Sequence, residues 1–372
     1  MVIAVDARLV ESLERRDDKT FTSEIVFAIA QRYSADRFIL VVTEELQTSI
    51  FPANVSTVII PKKPSTFLGY KWWYDVKLPL ILKKHKADVF IGTYGLVSLT
   101  SSIPQVMVVN DLSFLHKNVS KSTNFFRKYH TPKFLKKAKS VCTVSNFIKQ
   151  EILLKYKTSE DKIEVIGYGE SSLYKVLDWE ERETIKEKYA KSCEYFIYSE
   201  GPQFSSNLLN ILKAFSIFKK WQKTNMKLVV LAGHQDQFEP YQERLKAYKY
   251  KDELFVLDNL NDKESATVVG AAYASIYLPA YDGAGVPVLN SINAGVPVIT
   301  APHTAMEEIA GEAALYASPS GSEEFAEQMK IMFKDEELRT RLISHGKERV
   351  KNYSWDKTAM LLMQSIEKAV SK

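Results

Sequence analysis

Residues 281–300 read YDGAGVPVLNSINAGVPVIT, a short apolar segment set between two glycine turns and ending in a β-branched run. Gly283 and Gly285 allow the backbone to approach a ligand closely. A helix starting near Val286 would aim its N–H groups and the positive end of its dipole at that ligand. Gly295 ends that helix, and residues 297–300 begin a strand. Turn, helix, turn and strand in this order form one repeat of an α/β sheet, whose ligands lie beyond the carboxyl ends of the strands.

The same alternation extends outward in both directions. Strands are expected at 2–5, 38–42, 57–60, 89–92, 106–109, 141–144 and 163–166, then at 196–199, 228–231, 254–257, 274–278, 297–300 and 314–316. Helical spacing fills 22–33, 72–84, 146–156, 207–221, 263–272, 286–293, 322–333, 336–352 and 355–370. Strands alternating with helices predict mostly parallel sheets covered on both faces. The polar, charged stretch 171–193 reads as the boundary, with 173–189 as the linker. That gives two Rossmann-like domains, 1–172 and 190–354, facing each other across a cleft.

Composition narrows the class. The 372 residues are 45% hydrophobic and 26% charged, as in an ordinary globular protein. Cys142 and Cys193 lack any CxxC spacing and read as two reduced thiols. The six histidines show no zinc-binding spacing, so a protein-bound zinc is not expected; no bound cofactor is expected either. The start MVIAVDARLV lacks a basic leader, and no window offers a membrane-spanning apolar run; a cytoplasmic protein is expected. Net charge is only +5, but residues 117–149 carry nine Lys or Arg and no acid. They include Arg127 and Lys128, within a helix read at 124–139. Such a block suits an anionic membrane surface or a phosphate-bearing acceptor, or it is a solvated helix face. No nucleic-acid recognition motif accompanies it.

The opening stretch resembles the donor site of glycosyltransferase family 4, whose motif runs E-G-F-G-x-P-x-L-E-A and then G-x-P-V-I. The likeness continues in VVNDLSFLH (108–116), AKSVCTVSNFIKQEI (138–152), DKIEVIGYG (161–169), FIYSEGPQFSSNLLNILKAF (196–215), AMEEIAGEAALYASP (305–319) and NYSWDKTA (352–359). The resemblance implies a GT-B fold whose final helix, 355–372, crosses back to the N-terminal domain. It implies a UDP- or GDP-sugar donor on the C-terminal domain and a glycan or lipid-linked acceptor on the N-terminal one. It further implies hexosyl transfer with retention and no required metal, in cell-surface polysaccharide synthesis.

Carried over residue by residue, the resemblance implies a catalytic set of Asp282, Asn110 and Asp111. It implies donor contacts from Gly201, Ser205, Ser206, Asn207, Gly283, Ala284, Gly285, Val286 and Asn290, with His116, Arg127 and Lys128 at the acceptor or surface. Several positions depart from the family pattern. Ser205 and Ser206 replace an Arg-Lys pair, removing two cations from the place where diphosphate charge develops. Glu200 occupies the family's glycine, unless a one-residue slip brings in Gly201. Asp282 and Asn290 replace two glutamates, Ala284 a phenylalanine, and Asn110 a histidine; Asn cannot shuttle a proton. The segment VESLERRDDKTFTSE (10–24) has no glycine, and only Arg15 and Arg16 offer compensating charge there. Two readings follow: an active sugar transferase, or a catalytically impaired GT-B homologue acting as a binding or partner subunit. A sugar-nucleotide epimerase is a third reading, with no extra acid or base to support it.

Overall fold

The structure is a computed structural model that describes residues 1–8, 10, 21–46, 51–61, 64–116, 121–199, 207–232, 245–279 and 281–371. By contact it divides into two compact units, Met1–Gly169 with Tyr353–Lys372, and Glu170–Asn352.

The first unit runs β1 (Val2–Asp6), α1 (Phe21–Arg32), β2 (Arg37–Val42), β3 (Val55–Ile59), α2 (Phe67–Trp72), α3 (Leu78–Lys84), β4 (Val89–Gly92), β5 (Gln105–Val109), α4 (Lys121–Lys137), β6 (Ser140–Thr143), α5 (Asn146–Tyr156) and β7 (Ile163–Val165). Its strands form one parallel sheet in the order β3-β2-β1-β4-β5-β6-β7. Every residue of β4, β5 and β6 is buried, as expected of strands covered on both faces.

The second unit runs α6 (Trp179–Ala190), β8 (Tyr195–Ser199), α7 (Asn207–Trp221), β9 (Lys227–Leu231), β10 (Leu254–Leu257), α8 (Asp262–Gly270), β11 (Ala274–Ile276), α9 (Val286–Asn293), β12 (Val298–Thr300), α10 (Ala305–Ala310), β13 (Ala314–Tyr316), α11 (Ser322–Lys334) and α12 (Glu336–Val350). Its parallel sheet has the order β10-β9-β8-β11-β12-β13. The chain then enters α13 (Trp355–Val370), which packs on α1 and across β4 to β7. The final helix therefore does belong to the first unit. Ser354 caps it, and its buried row includes Ala359, Leu362, Met363 and Ile366.

Two local expectations change. The stretch read as a linker, 173–189, contains most of α6, which packs on α8 within the second unit. Asp178 and Glu181 form a capping box at its start. Its one buried lysine, Lys186, is paired with Glu183 and Glu194. The helix read at 72–84 begins earlier, at Phe67, where the Thr66 hydroxyl accepts from the Gly69 amide. It also contains a π-helical turn at Trp73–Lys77.

Candidate active site

The strand order reverses beside the first strand of each sheet, with β1 next to β4 and β8 next to β11. Ligands of open parallel sheets bind at such points, beyond the carboxyl ends of the strands. A buried polar side chain ties the two diverging loops together at each one. In the first unit the Thr93 hydroxyl, just past β4, donates to the Asp6 carbonyl at the end of β1, 2.6 Å away. In the second unit Asn207, the first residue of α7, donates from Nδ2 to the Leu278 carbonyl beyond β11, also at 2.6 Å. Asn207, expected as a donor contact, uses one N–H of its side-chain amide to hold the scaffold.

The 281–286 loop is organised by Asp282. Its Oδ1 accepts from the backbone N–H of Ala284 at 2.8 Å and of Gly285 at 3.0 Å. Its Oδ2 accepts from the Tyr277 hydroxyl at 2.8 Å. The carboxylate therefore engages two of the amides that an anionic ligand would otherwise find at this helix start. Burial pushes the Tyr277 hydroxyl well above its ordinary value, and the Asp282 charge adds to that, so Tyr277 remains a donor throughout the neutral range.

Gly285 caps α9 with φ +63°. A Cβ there would lie 2.8 Å from Ile309 Cδ1 and 3.3 Å from the Ala305 carbonyl oxygen. The residue is glycine for its backbone and for close packing on α10. Val286 opens α9, followed by Pro287, which has no N–H to leave unsatisfied. Further along this helix, Asn290 Oδ1 is shielded from solvent and has no hydrogen-bond partner among the described residues. Gly201, Ser205 and Ser206, together with Glu200, Arg15 and Arg16, lie outside the described residues.

In the first unit the loop after β5 holds Asn110 and Asp111. Asn110 Oδ1 is likewise shielded and unpartnered among the described residues. Asp111 accepts from the Ser113 amide and hydroxyl, both at 2.8 Å, and from Arg127 Nη1 at 3.3 Å. Arg127 also donates to the Tyr94 carbonyl at 2.9 Å and lies over the Phe114 ring. Asp111 and Arg127, read separately in the sequence, form one ion pair that joins the loops after β4 and β5. His116 Nε2 lies 2.8 Å from Glu151 Oε1 on α5. Lys128 is exposed on α4.

Arg8 escaped the sequence reading. It is only 4% exposed, two residues beyond β1, beside a fully buried Asp6. Its Nε is 3.3 Å from Asp6, and its guanidinium is boxed by the rings of Tyr74, Tyr94, Tyr70 and Trp73, at 5.1, 5.4, 5.6 and 5.9 Å. The Tyr74 hydroxyl donates to the same carboxylate. Burial works against the Arg8 charge, but Tyr74 and Asp6 outweigh it, and the net shift is upward. A charged pair at a strand's carboxyl end, Asp6-Ala7-Arg8, was the available signal.

Two parallel α/β units of this kind, with the last helix returned to the first, make up the GT-B class of fold. HepE of Anabaena, solved with UDP and glucose, is similar at TM-score 0.74 and 12% identity, over 98% of this chain and 99% of that one. Residues 26–169 match the model of Glycosyltransferase Family 4, and residues 181–349 match that of Glycosyl transferases group 1. The chain belongs to this family of group 1 glycosyltransferases. Among relatives, it is 24% identical over 225 residues to the O-antigen chain mannosyltransferase B of Escherichia coli; the match covers 60% of this chain and 58% of that protein. It is 21% identical over 268 residues to the O-antigen chain mannosyltransferase RfbU of Salmonella typhimurium, covering 72% of this chain and 70% of that one.

Proposed function

We propose that the chain transfers a hexosyl unit, with retention, from a UDP- or GDP-sugar to a glycan or lipid-linked acceptor in cell-surface polysaccharide synthesis. The observation that carries this reading is the Asp282 loop, which holds a glycine-capped helix start at the carboxyl end of β11. The mannosyltransferase relatives support the substrate class, and HepE supports a nucleotide-sugar donor.

In this reading Asp282 is a positioning residue: it fixes Ala284 and Gly285 so that the backbone near Val286 meets the donor. Gly201, Ser205 and Ser206 would supply neutral hydrogen-bond donors to the diphosphate, and Asn290 a free acceptor for ribose hydroxyls. No protein-bound metal has a part in the reading. Asp111, held by Arg127, would orient the acceptor, and Asn110 would donate to it without exchanging a proton. Calorimetry with UDP and GDP, followed by a donor panel with NMR of the product anomer, tests the proposal. Binding of one nucleotide and a product of retained configuration support it; an inverted product refutes it.

The second reading is a partner subunit without turnover. Its support is the engagement of the Ala284 and Gly285 amides by Asp282 itself. Absence of nucleotide binding at millimolar concentration would favour this reading over the first.

A further inference from the structure

Residues 67–84 form a continuous helix in which apolar side chains recur every fourth position on two opposite rows. Tyr70, Tyr74, Leu78 and Leu82 are buried. Leu68, Trp72, Val76 and Leu80 are exposed, at 76%, 40%, 49% and 61% of their surface. In a regular α-helix a spacing of four drifts around the axis, because a turn holds 3.6 residues. The π turn at Trp73–Lys77, closed by the Leu78 amide on the Trp73 carbonyl, holds more residues and offsets that drift. Both rows therefore stay in line, and the exposed one forms a single apolar stripe. Its four large side chains leave much of their apolar surface uncovered within the described unit.

The charges around the stripe are one-sided. Residues 67–86 contain Lys71, Lys77, Lys83, Lys84 and Lys86 against a single acid, Asp75. Asp75 is taken up by the Leu99 amide at 2.7 Å. Lys77 Nζ lies 5.0 Å from the Trp72 ring centroid, placing ammonium and indole together at the edge of the stripe. Phe67, at the head of this helix, packs on Phe126 and His130 of α4. Tyr129, 56% exposed, stands edge-on to His130 and carries Lys133 Nζ at 4.2 Å. Basic residues therefore flank the stripe along its own helix, and a chain of contacts leads from it to the basic helix α4.

We propose that this surface docks on an anionic lipid bilayer, with Leu68, Trp72, Val76 and Leu80 entering the headgroup boundary and the lysines contacting lipid phosphates. An apolar row with an indole at its edge and a lysine flank suits the interfacial plane of such a membrane. The proposal moves the centre of membrane contact from the 117–149 block to α2 and α3. It does not rest on the donor-site reading, which calorimetry without lipid tests separately.

The test is cosedimentation of the full chain with vesicles of phosphatidylglycerol and phosphatidylcholine, compared with phosphatidylcholine alone. Binding should be at least about tenfold stronger to the anionic vesicles and should weaken with salt. The exposed-side variant Leu68→Ser/Trp72→Ser/Leu80→Ser and the charge variant Lys71→Glu/Lys77→Glu/Lys84→Glu should each lose binding about tenfold or more while keeping the wild-type melting temperature. Leu154→Ser, at an 83% exposed leucine on α5, should bind as wild type does. An environment-sensitive dye on Leu80→Cys should shift to the blue on anionic vesicles, which reads insertion without relying on a loss. Wild type that ignores anionic vesicles, stripe variants that bind undiminished, a dye that does not shift, or a dimer in solution that shields the dye would each overturn the proposal.

Discussion

The Tyr277 hydroxyl and the Asp282 carboxylate form a 2.8 Å hydrogen bond that anchors one side of the 281–286 loop, while the other carboxylate oxygen holds two backbone amides. This arrangement separates a structural role for Asp282 from a chemical one. Asp282→Asn keeps an oxygen for the Ala284 and Gly285 amides, whereas Asp282→Ala removes it. If Asp282 positions the loop, the Asn variant should retain most nucleotide affinity and the Ala variant should lose about tenfold, or ~1.4 kcal/mol. Tyr277→Phe should cost about 0.5–1.5 kcal/mol of stability, measured by urea unfolding. Equal losses in the Asn and Ala variants would show that the charge itself is needed.

Gly285→Ala should be more damaging than a methyl group suggests. The residue sits at φ +63°, and the new Cβ would meet Ile309 Cδ1 at 2.8 Å. Left-handed backbone costs a non-glycine residue roughly 1–2 kcal/mol, and overpacking adds about 1–3 kcal/mol. Adding Ile309→Val removes the clashing carbon and should restore the packing part alone. Denaturant midpoints of the two single variants and the double variant test this. A double variant as stable as wild type would mean the backbone at Gly285 is unstrained.

Much of this architecture was legible because parallel strands buried on both faces are short β-branched runs bounded by polar turns. Residues 89–92, all buried, were read as a strand with the bounds the structure shows, and so were 254–257 at the partly exposed edge of the second sheet. The helix α6 was not legible. Its composition is mostly charged, and the features that fix it are the Asp178 capping box and the Lys186 ion pairs, neither of which leaves an apolar period. The Asp282 loop could be located from its glycines, but not the bonding that makes its carboxylate an internal anion. Arg8 was missed because a charged residue reads as solvated until the fold sets it beside the buried Asp6 of β1 and under three rings from α2 and the π turn and a fourth, Tyr94, from the loop after β4.

Arg8 and Asp6 should behave as a coupled pair. Arg8→Met leaves the Asp6 charge buried with only the Tyr74 hydroxyl and nearby backbone, and should cost about 3–5 kcal/mol. Combining it with Asp6→Asn removes the stranded charge and should recover a large part of that loss. A double-mutant cycle read by chemical unfolding measures the coupling. Strict additivity of the two changes would show that the pair contributes no mutual stabilisation.

Gly169 faces Trp355 across the entry to α13. A Cβ at 169 would fall 2.4 Å from the indole ring carbons Cγ and Cδ2. The ring cannot swing aside freely, because it packs against Phe21 and Tyr168 at 5.9 and 5.0 Å. Gly169→Ala should therefore lower stability by about 1–3 kcal/mol. It should also raise hydrogen exchange in α13 above that in the second unit, measured by mass spectrometry. An even rise across both units would remove Trp355 as the point of strain.

High pH should unfold the chain through its buried tyrosines. Burial pushes the Tyr74, Tyr195 and Tyr277 hydroxyls well above their ordinary value of 10, and those of Tyr156, Tyr248, Tyr273 and Tyr316 up to about 12. Burial likewise pushes the Cys142 thiol up to about 12 from its ordinary 9. In each case the folded state holds its proton after the unfolded state has released it. The stabilisation is therefore complete below about pH 9 and is lost as pH rises through about 12. Absorbance at 295 nm should show these buried tyrosines ionising only together with the loss of circular dichroism. At pH 8, a thiol reagent should label half-buried Cys193 and spare Cys142 in the folded chain. Complete tyrosine ionisation without loss of structure would show that these hydroxyls are not held by the fold.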